Sequence, residues 1–142
     1  MGVGTARKNE ILNFLFGEAS FSPSPAGTLY LGLKINSAFT TTGELITIPT
    51  EPSGGSYARV SFDNTAIWNS STSNSKTNAS ALTFPESSAA WGDVYGIFIS
   101  KVASGDVLSD ILYFQNLTSP ITVGINTTVY YNAGGLTITI PF

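Results

Sequence analysis

The stretch Ser53-Gly54-Gly55-Ser56-Tyr57-Ala58-Arg59-Val60 joins a glycine pair to a β-favouring run and carries one of the few positive charges of the chain. Gly54 and Gly55 have no Cβ and adopt positive φ without a steric cost, so the chain is expected to reverse there. The run from Tyr57 to Phe62 favours a β-strand. The sequence therefore predicts a tight turn that leads directly into a strand.

The residues of this strand alternate in polarity. Three small or apolar side chains share the predicted core face: Ala58, Val60 and Phe62. The opposite face carries an aromatic ring, a cation and a hydroxyl: Tyr57, Arg59 and Ser61. We expect this second face to point outward as a contact surface, although Arg59 is equally compatible with a tie to a nearby acid of its own chain.

Short strand-like stretches separated by turn residues continue along the chain. Residues 28–34 alternate and predict a half-buried strand, whereas residues 94–101 are apolar on both faces and predict a central strand. Residues 69–78 are almost entirely Ser, Thr and Asn, which predicts a mobile loop. About eight short strands without alternating helices predict an all-β fold, an antiparallel β-sandwich or a jelly-roll-like single domain.

The N-terminal stretch is different. Residues 7–16 predict a short helix with an apolar stripe formed by Ile11, Leu12, Leu15 and Phe16. Pro23 and Pro25 then predict an extended linker. We therefore divide the chain into an N-terminal helix and arm, residues 1–27, and a β-sandwich domain, residues 28–142. The stripe either covers one end of its own domain or docks on another subunit.

The composition narrows the possible partners. Charged residues make up 11% of the 142 residues, against about 25% in typical soluble domains. A surface of Ser, Thr, Asn and Gly is common in proteins that pack against other proteins. The net charge of −3 and the scattering of the six cations argue against nucleic acid as a partner. No secretion signal and no apolar run of about 18 residues is found, so no membrane partner is expected.

The residue types also limit the chemistry. The chain has no His and no Cys, which removes the Ser-His-Asp triad, thiolate nucleophiles and the commonest zinc ligands. Most acids fall at predicted turns, and the glycines form no phosphate-binding fingerprint. We therefore predict a protein that is not an enzyme, with no catalytic, cofactor-binding or metal site. Trp68 and Trp91 either belong to the core or stack on sugar rings.

Several short motifs follow one another in a fixed order: Leu29-Tyr30-Leu31-Gly32-Leu33, Gly54-Gly55-Ser56-Tyr57-Ala58-Arg59, Asn78-Ala79-Ser80-Ala81-Leu82-Thr83-Phe84-Pro85, Ala90-Trp91-Gly92, Gly96-Ile97-Phe98 and Ala133-Gly134-Gly135-Leu136-Thr137-Ile138. This order resembles small virion proteins of tailed bacteriophages, of the head-decoration (cement) or tail-fibre-like kind. The resemblance implies a non-enzymatic all-β virion protein that assembles as a homo-oligomer, expected to be a trimer.

The resemblance and the compact size lead to one main expectation and two alternatives. We expect a capsid decoration (cement) protein in the virion, assembled in the host cytoplasm, that bridges the major capsid protein or other virion proteins. Its predicted interface residues are Ile11, Leu12, Leu15, Phe16, Tyr57 and Arg59. The first alternative is a tail-fibre or baseplate component that contacts the host surface. The second is a carbohydrate-binding module that uses Trp68 or Trp91.

Overall fold

The computed structural model describes residues 2, 3, 9, 12, 16, 27–40, 45, 47–64 and 66–139. The named elements are antiparallel strands and one short 3-10 turn, Leu108–Asp110, so the predicted all-β class is confirmed. The strands are β1 Gly2–Val3, β2 Thr28–Ile35, β3 Val60–Asp63, β4 Ser75–Thr77, β5 Leu82–Thr83, β6 Gly92–Ser100, β7 Ile111–Val123, β8 Tyr130–Tyr131 and β9 Thr137–Thr139. Within this part of the chain, no helix is long and apolar enough to cross a membrane.

A five-stranded sheet with the order β1-β7-β6-β2-β3 forms one layer. Two ribbons, β4-β9 and β5-β8, lie over one face of this sheet. The main core fills the space between sheet and ribbons, and its largest buried contributions come from apolar side chains of both layers: Leu29, Leu31, Leu33, Phe62, Phe84, Trp91, Ile97, Ile99, Tyr113 and Leu136. This arrangement agrees with the predicted antiparallel layers.

The middle of the sheet is buried on both faces. Strand β6 pairs with β2 and β7, which confirms the predicted central strand. The half-buried prediction for β2 is wrong, because a second apolar cluster of Phe39, Phe98, Ile111 and Phe114 covers the other face. Two glycines make room for it: the Phe98 ring lies directly on Gly32, and a Cβ on Gly96 would lie 2.8 Å from the Phe39 ring.

Strand β7 joins two segments that the proline at 120 separates in the sequence. The pairing partner on β7 moves from Ile121 to Asn116 while β6 advances only from Val94 to Gly96. Residues 117–120 therefore form a wide bulge, and Pro120, which has no N–H to donate, lies within it. The bulge explains how one strand of 13 residues contains a proline.

Residues 69–78 form a β-hairpin, so the prediction of a loop there is wrong. Ser73 and Asn74 adopt positive φ of 48° and 63°, and Thr72 and Ser75 exchange two backbone hydrogen bonds of 2.9 Å. This is the geometry of a two-residue hairpin turn, in which Asn is favoured. The polar composition reflects a tight turn and exposed ribbon strands rather than an irregular chain.

Asn78 ends this hairpin and is completely buried. Its Oδ1 accepts a hydrogen bond from the Leu136 N–H at 2.8 Å, and its Nδ2 donates to the carbonyls of Asn132 at 2.8 Å and Ser80 at 2.9 Å. The Asn78 carbonyl also accepts from the Gly134 N–H at 2.7 Å. A polar side chain is tolerated here because every hydrogen-bonding group has a partner, and it fastens the hairpin to the turn before β9.

The predicted helix over residues 7–16 falls mostly on residues outside the described part of the chain, and so do Ile11, Leu15 and the Pro23-Pro25 linker. Leu12 and Phe16 are described; their side chains are 51% and 78% exposed, and the Phe16 N–H donates to the Leu12 carbonyl at 3.0 Å. The helix and the division at residue 27 stay predictions. The sequence did not predict β1, which pairs Gly2 with Phe114 and Val3 with Tyr113.

Candidate functional site

The glycine turn forms where the sequence predicts it. Gly54, Gly55 and Ser56 all have left-handed backbone, with φ of 76°, 59° and 63°, and the Tyr57 N–H closes the turn onto the Gly54 carbonyl at 3.0 Å. A Cβ on Gly55 would lie 3.0 Å from the Trp91 Nε1, so this position combines a special φ with a close approach. The strand that follows starts at Val60 rather than at Tyr57.

Trp91 lies beneath this turn and belongs to the core. It is 5% exposed, and its Nε1–H donates to the Gly55 carbonyl at 2.9 Å. The ring of Tyr57 meets Trp91 edge to face with centroids 5.3 Å apart, and it stacks on Phe84 at 6.3 Å. A sugar-binding role for Trp91 is therefore wrong, and the prediction that Tyr57 points outward is also wrong.

The Tyr57 hydroxyl hydrogen-bonds to the backbone of β2 beyond the point where its pairing with β3 ends. It accepts a hydrogen bond from the Leu33 N–H at 3.0 Å, at a point of β2 that β3 no longer pairs, and it donates to Glu51 Oε1 at 2.6 Å. Burial and the neighbouring Glu51 charge raise the pKa of Tyr57 well above its usual value. The hydroxyl therefore stays protonated and acts as a link between β2 and residue 51.

Arg59 lies between two carboxylates. Its Nε and Nη2 donate to the two oxygens of Glu51 at 2.9 and 2.5 Å, and its Nη1 and Nη2 donate to Oδ1 and Oδ2 of Asp106, the first at 2.9 Å. Nη1 also donates to the Val102 carbonyl at 2.7 Å. All five N–H groups of the guanidinium are therefore used, in the two-pronged geometry that arginine forms with carboxylates.

The residues around Arg59 shield its guanidinium from solvent. The side chains of Arg59 and Asp106 are 3% and 1% exposed, and that of Glu51 is 21% exposed. The guanidinium lies 4.9 Å from the centre of the Phe98 ring. The buried Ser100 hydroxyl donates to Asp106 Oδ1 at 2.5 Å. We call Glu51, Tyr57, Arg59, Ser100 and Asp106 the Arg59 cluster.

The Arg59 cluster shows the intrachain tie that the sequence offered as one of two interpretations of Arg59. Burial acts to lower the pKa of Arg59, but the hydrogen bonds and charges of Glu51 and Asp106 outweigh it and raise the pKa. The outward orientation is wrong, because the opposite face of the sheet is covered by Phe39 and Phe98 and the guanidinium finds its acids there. Arg59 is the tie within its own chain, and a role in an interface stays a prediction.

An open groove of about 410 Å³ lies on the other face of the sheet, between the sheet and the β4-β9 ribbon. Its inner surface is apolar and consists of Leu29, Ile99, Leu112, Tyr113 and Ile138. Its rim carries one indole and five polar side chains: Trp68, Asn64, Ser71, Asn74, Ser75 and Lys76. We call these residues the Trp68 groove. Its rim belongs largely to the hairpin that the sequence suggested was a loop.

Trp68 is half-buried and held in one orientation. Its Nε1–H donates to Asn64 Oδ1 at 2.9 Å, and its ring meets Phe62 edge to face with centroids 5.7 Å apart. Its backbone forms a bridge with Asn78. A tryptophan followed by a long Ser/Thr/Asn run is the one sequence signal that marks this groove, since it places a large ring beside a polar hairpin.

Comparison with known proteins gives one family. The family model described as "Podophage GP4 fiber I protein gp80" matches residues 2–139, nearly the whole chain. The matched region contains the glycine turn, the Arg59 cluster and the Trp68 groove. No curated protein matches the chain.

Proposed function

The chain belongs to the podophage GP4 fiber I protein gp80 family, a family of phage structural proteins, and from this membership we propose that it is a subunit of a tail fibre. The observation that carries the proposal is the match to a fibre family over residues 2–139. The resemblance in the sequence motifs covers both decoration and fibre-like proteins, whereas the family description names a fibre. We therefore prefer the tail over the capsid-cement role.

The Arg59 cluster supports a structural rather than a catalytic role. Its one cation and its two carboxylates are bonded to each other and to the backbone, which leaves no guanidinium N–H for a substrate. The whole sequence also lacks His and Cys. The proposal is therefore a non-enzymatic virion component whose ion pairs hold its own loops.

Assembly into a homo-oligomer, a trimer in our proposal, is supported by exposed apolar side chains. Leu12 and Phe16 are exposed in the N-terminal stretch, and the body adds others: Ile48, Val107, Leu108, Ile121, Ile125 and Tyr130. Large exposed apolar side chains on a chain with few charges suit contacts with other subunits. The predicted interface role of Tyr57 and Arg59 stays untested, and the proposed interface does not rest on these two residues, because their side chains make contacts within the chain.

Immunogold electron microscopy of intact phage particles tests the location. An antibody raised against this chain is expected to label the tail, and the same antibody absorbed with the purified chain is the control. Label distributed over the capsid shell would overturn the fibre proposal in favour of a cement protein. Label at neither place, with the chain present in the purified particles by mass spectrometry, would overturn an exposed fibre position.

A further inference from the structure

The Trp68 groove combines the features of a saccharide site, and we propose that it binds a saccharide with one sugar ring against Trp68 and its hydroxyls on the polar rim. The proposal goes beyond the fibre assignment and does not depend on where the chain lies in the virion. The expected ligand is polyhydroxylated and has an apolar ring face.

The groove has the right size and the right division of surfaces. A volume of about 410 Å³ falls within the roughly 300–1,000 Å³ of small-ligand sites, which are mainly apolar with a few placed polar groups. The apolar surface and the indole suit the C–H face of a sugar ring. Ser71 and Asn74 present an exposed hydroxyl and an exposed amide, which supply both donors and acceptors, as sugar hydroxyls require. The Ser75 hydroxyl already bonds to Thr139, and Asn64 Oδ1 already accepts from Trp68, so these two side chains shape the rim.

The walls of the groove are held in place before any ligand arrives. The two-residue turn at Ser73-Asn74 and the buried Asn78 fix the two ends of the hairpin. The bond to Asn64 and the contact with Phe62 fix the Trp68 ring. Because the hairpin backbone and the Trp68 ring have little freedom left to lose, a weak ligand such as a sugar gains affinity from their preorganisation.

The charge of the rim narrows the class of saccharide that we expect to bind. Lys76 is exposed and is the one charged residue among the described residues that line the groove. No acid lines the groove among the described residues, so Lys76 makes the rim locally positive on a chain with a net charge of −3. We therefore expect saccharides that carry carboxylates to bind better than neutral ones of the same length.

The experiment uses the full chain on a glycan array that carries neutral oligosaccharides and uronic-acid-containing oligosaccharides. Trp68→Ala is expected to lower the retained protein at least about tenfold, whereas Trp91→Phe, the matched control in the core, retains binding as long as it folds. Asn74→Gly removes a rim amide but keeps a residue that tolerates positive φ, so it separates binding from folding. Circular dichroism checks the fold of each variant.

Tryptophan fluorescence supplies a second readout that does not need an array. In Trp91→Phe the remaining indole is Trp68, so its emission is expected to shift when the retained oligosaccharide is added. In Trp68→Phe the remaining indole is the buried Trp91, whose emission is expected to stay constant.

Three results would overturn the proposal. The first is no retention of the folded full chain on any neutral or uronic-acid glycan. The second is undiminished retention by a folded Trp68→Ala and by Asn74→Gly. The third is a Trp68 emission shift that follows protein concentration without sugar and disappears in Phe16→Ser, which would identify a second copy of the chain as the occupant. Equal retention of neutral and acidic glycans would overturn the role of Lys76.

Discussion

The Arg59 cluster and the Trp68 groove lie on opposite faces of the same sheet, and β6 contributes to both. Phe98 supports the guanidinium on one face, and the next residue, Ile99, lines the groove on the other. In the cluster every N–H of Arg59 is bonded, whereas the groove keeps an exposed hydroxyl, an exposed amide and an exposed ammonium, those of Ser71, Asn74 and Lys76. The more highly charged site is therefore the one that serves stability.

Arg59→Met removes the cation of the Arg59 cluster, and we expect it to lower the free energy of unfolding more than any other variant considered below. The variant leaves Asp106 buried without its cation, and loss of one partner of a buried ion pair costs about 3–5 kcal/mol in free energy of unfolding. Urea unfolding followed by circular dichroism measures it. Lys101→Ala, at an exposed lysine, is the control and should change stability by less than about 0.5 kcal/mol. Equal effects would show that the cluster does not hold the fold.

Asn78→Ala tests whether the hairpin beside the Trp68 groove also depends on a buried polar side chain for its stability. The variant leaves the Leu136 N–H and two carbonyls without partners, and we expect a loss of about 2–3 kcal/mol in the free energy of unfolding. Asn69→Ala removes an exposed amide of the same hairpin and should have little effect. If the two variants were equally stable in urea, Asn78 would not be what anchors the groove.

Tyr57→Phe removes the hydroxyl that links β2 to Glu51, and we expect the stability that this hydroxyl contributes to depend on pH. We expect a loss of about 1 kcal/mol at neutral pH, because the Leu33 N–H loses its acceptor. The folded pKa of Tyr57 is raised by burial and by Glu51, so its contribution is complete below the unfolded value of about 10 and is lost as the pH rises toward the folded pKa.

The native chain should therefore lose stability more steeply above pH 10 than Tyr57→Phe does. Urea unfolding at a series of alkaline pH values measures the slopes, and the absorbance of tyrosinate reports ionisation. Tyr130→Phe, at an exposed tyrosine, controls for the removal of one hydroxyl. Parallel slopes for the native chain and Tyr57→Phe would contradict the burial of this hydroxyl.

Lys76→Gln and Asn74→Gly should have the smallest effect on stability. Both side chains are exposed on the rim of the groove, and each change is expected to stay within about 0.5 kcal/mol in the free energy of unfolding. The same urea titrations measure it. A loss above 1 kcal/mol for either variant would mean that the rim is part of the folded framework, and the contrast with the Arg59 cluster would disappear.

The sequence predicted the elements whose causes are local. The left-handed residues at Gly54 and Gly55 and the apolar run of β6 are visible in short windows, and both predictions are confirmed. The prediction that Arg59 points outward was wrong, because it assumed that one face of the sheet is exposed to solvent. Phe39, which is 20 residues upstream in the sequence, helps to cover that face.

The candidate site was less predictable than the fold, because it depends on long-range contacts. Trp68 and Trp91 look alike in the sequence, and only the Gly55 carbonyl over Trp91 and the open ribbon beside Trp68 distinguish them. Asn78 looked like one more polar residue, because its partners at Asn132 and Leu136 lie more than 50 positions away.

The bulge at residues 117–120 has a consequence for solubility at high concentration. Among the described residues, β1 pairs with β7 only at Tyr113 and Phe114, so the rest of the outer edge of β7 has no neighbouring strand. A long free edge invites a strand from another molecule, but Pro120 offers no N–H and the bulge breaks the regular ladder. The kinked edge thus acts against runaway strand-to-strand aggregation where many copies of the chain are crowded together.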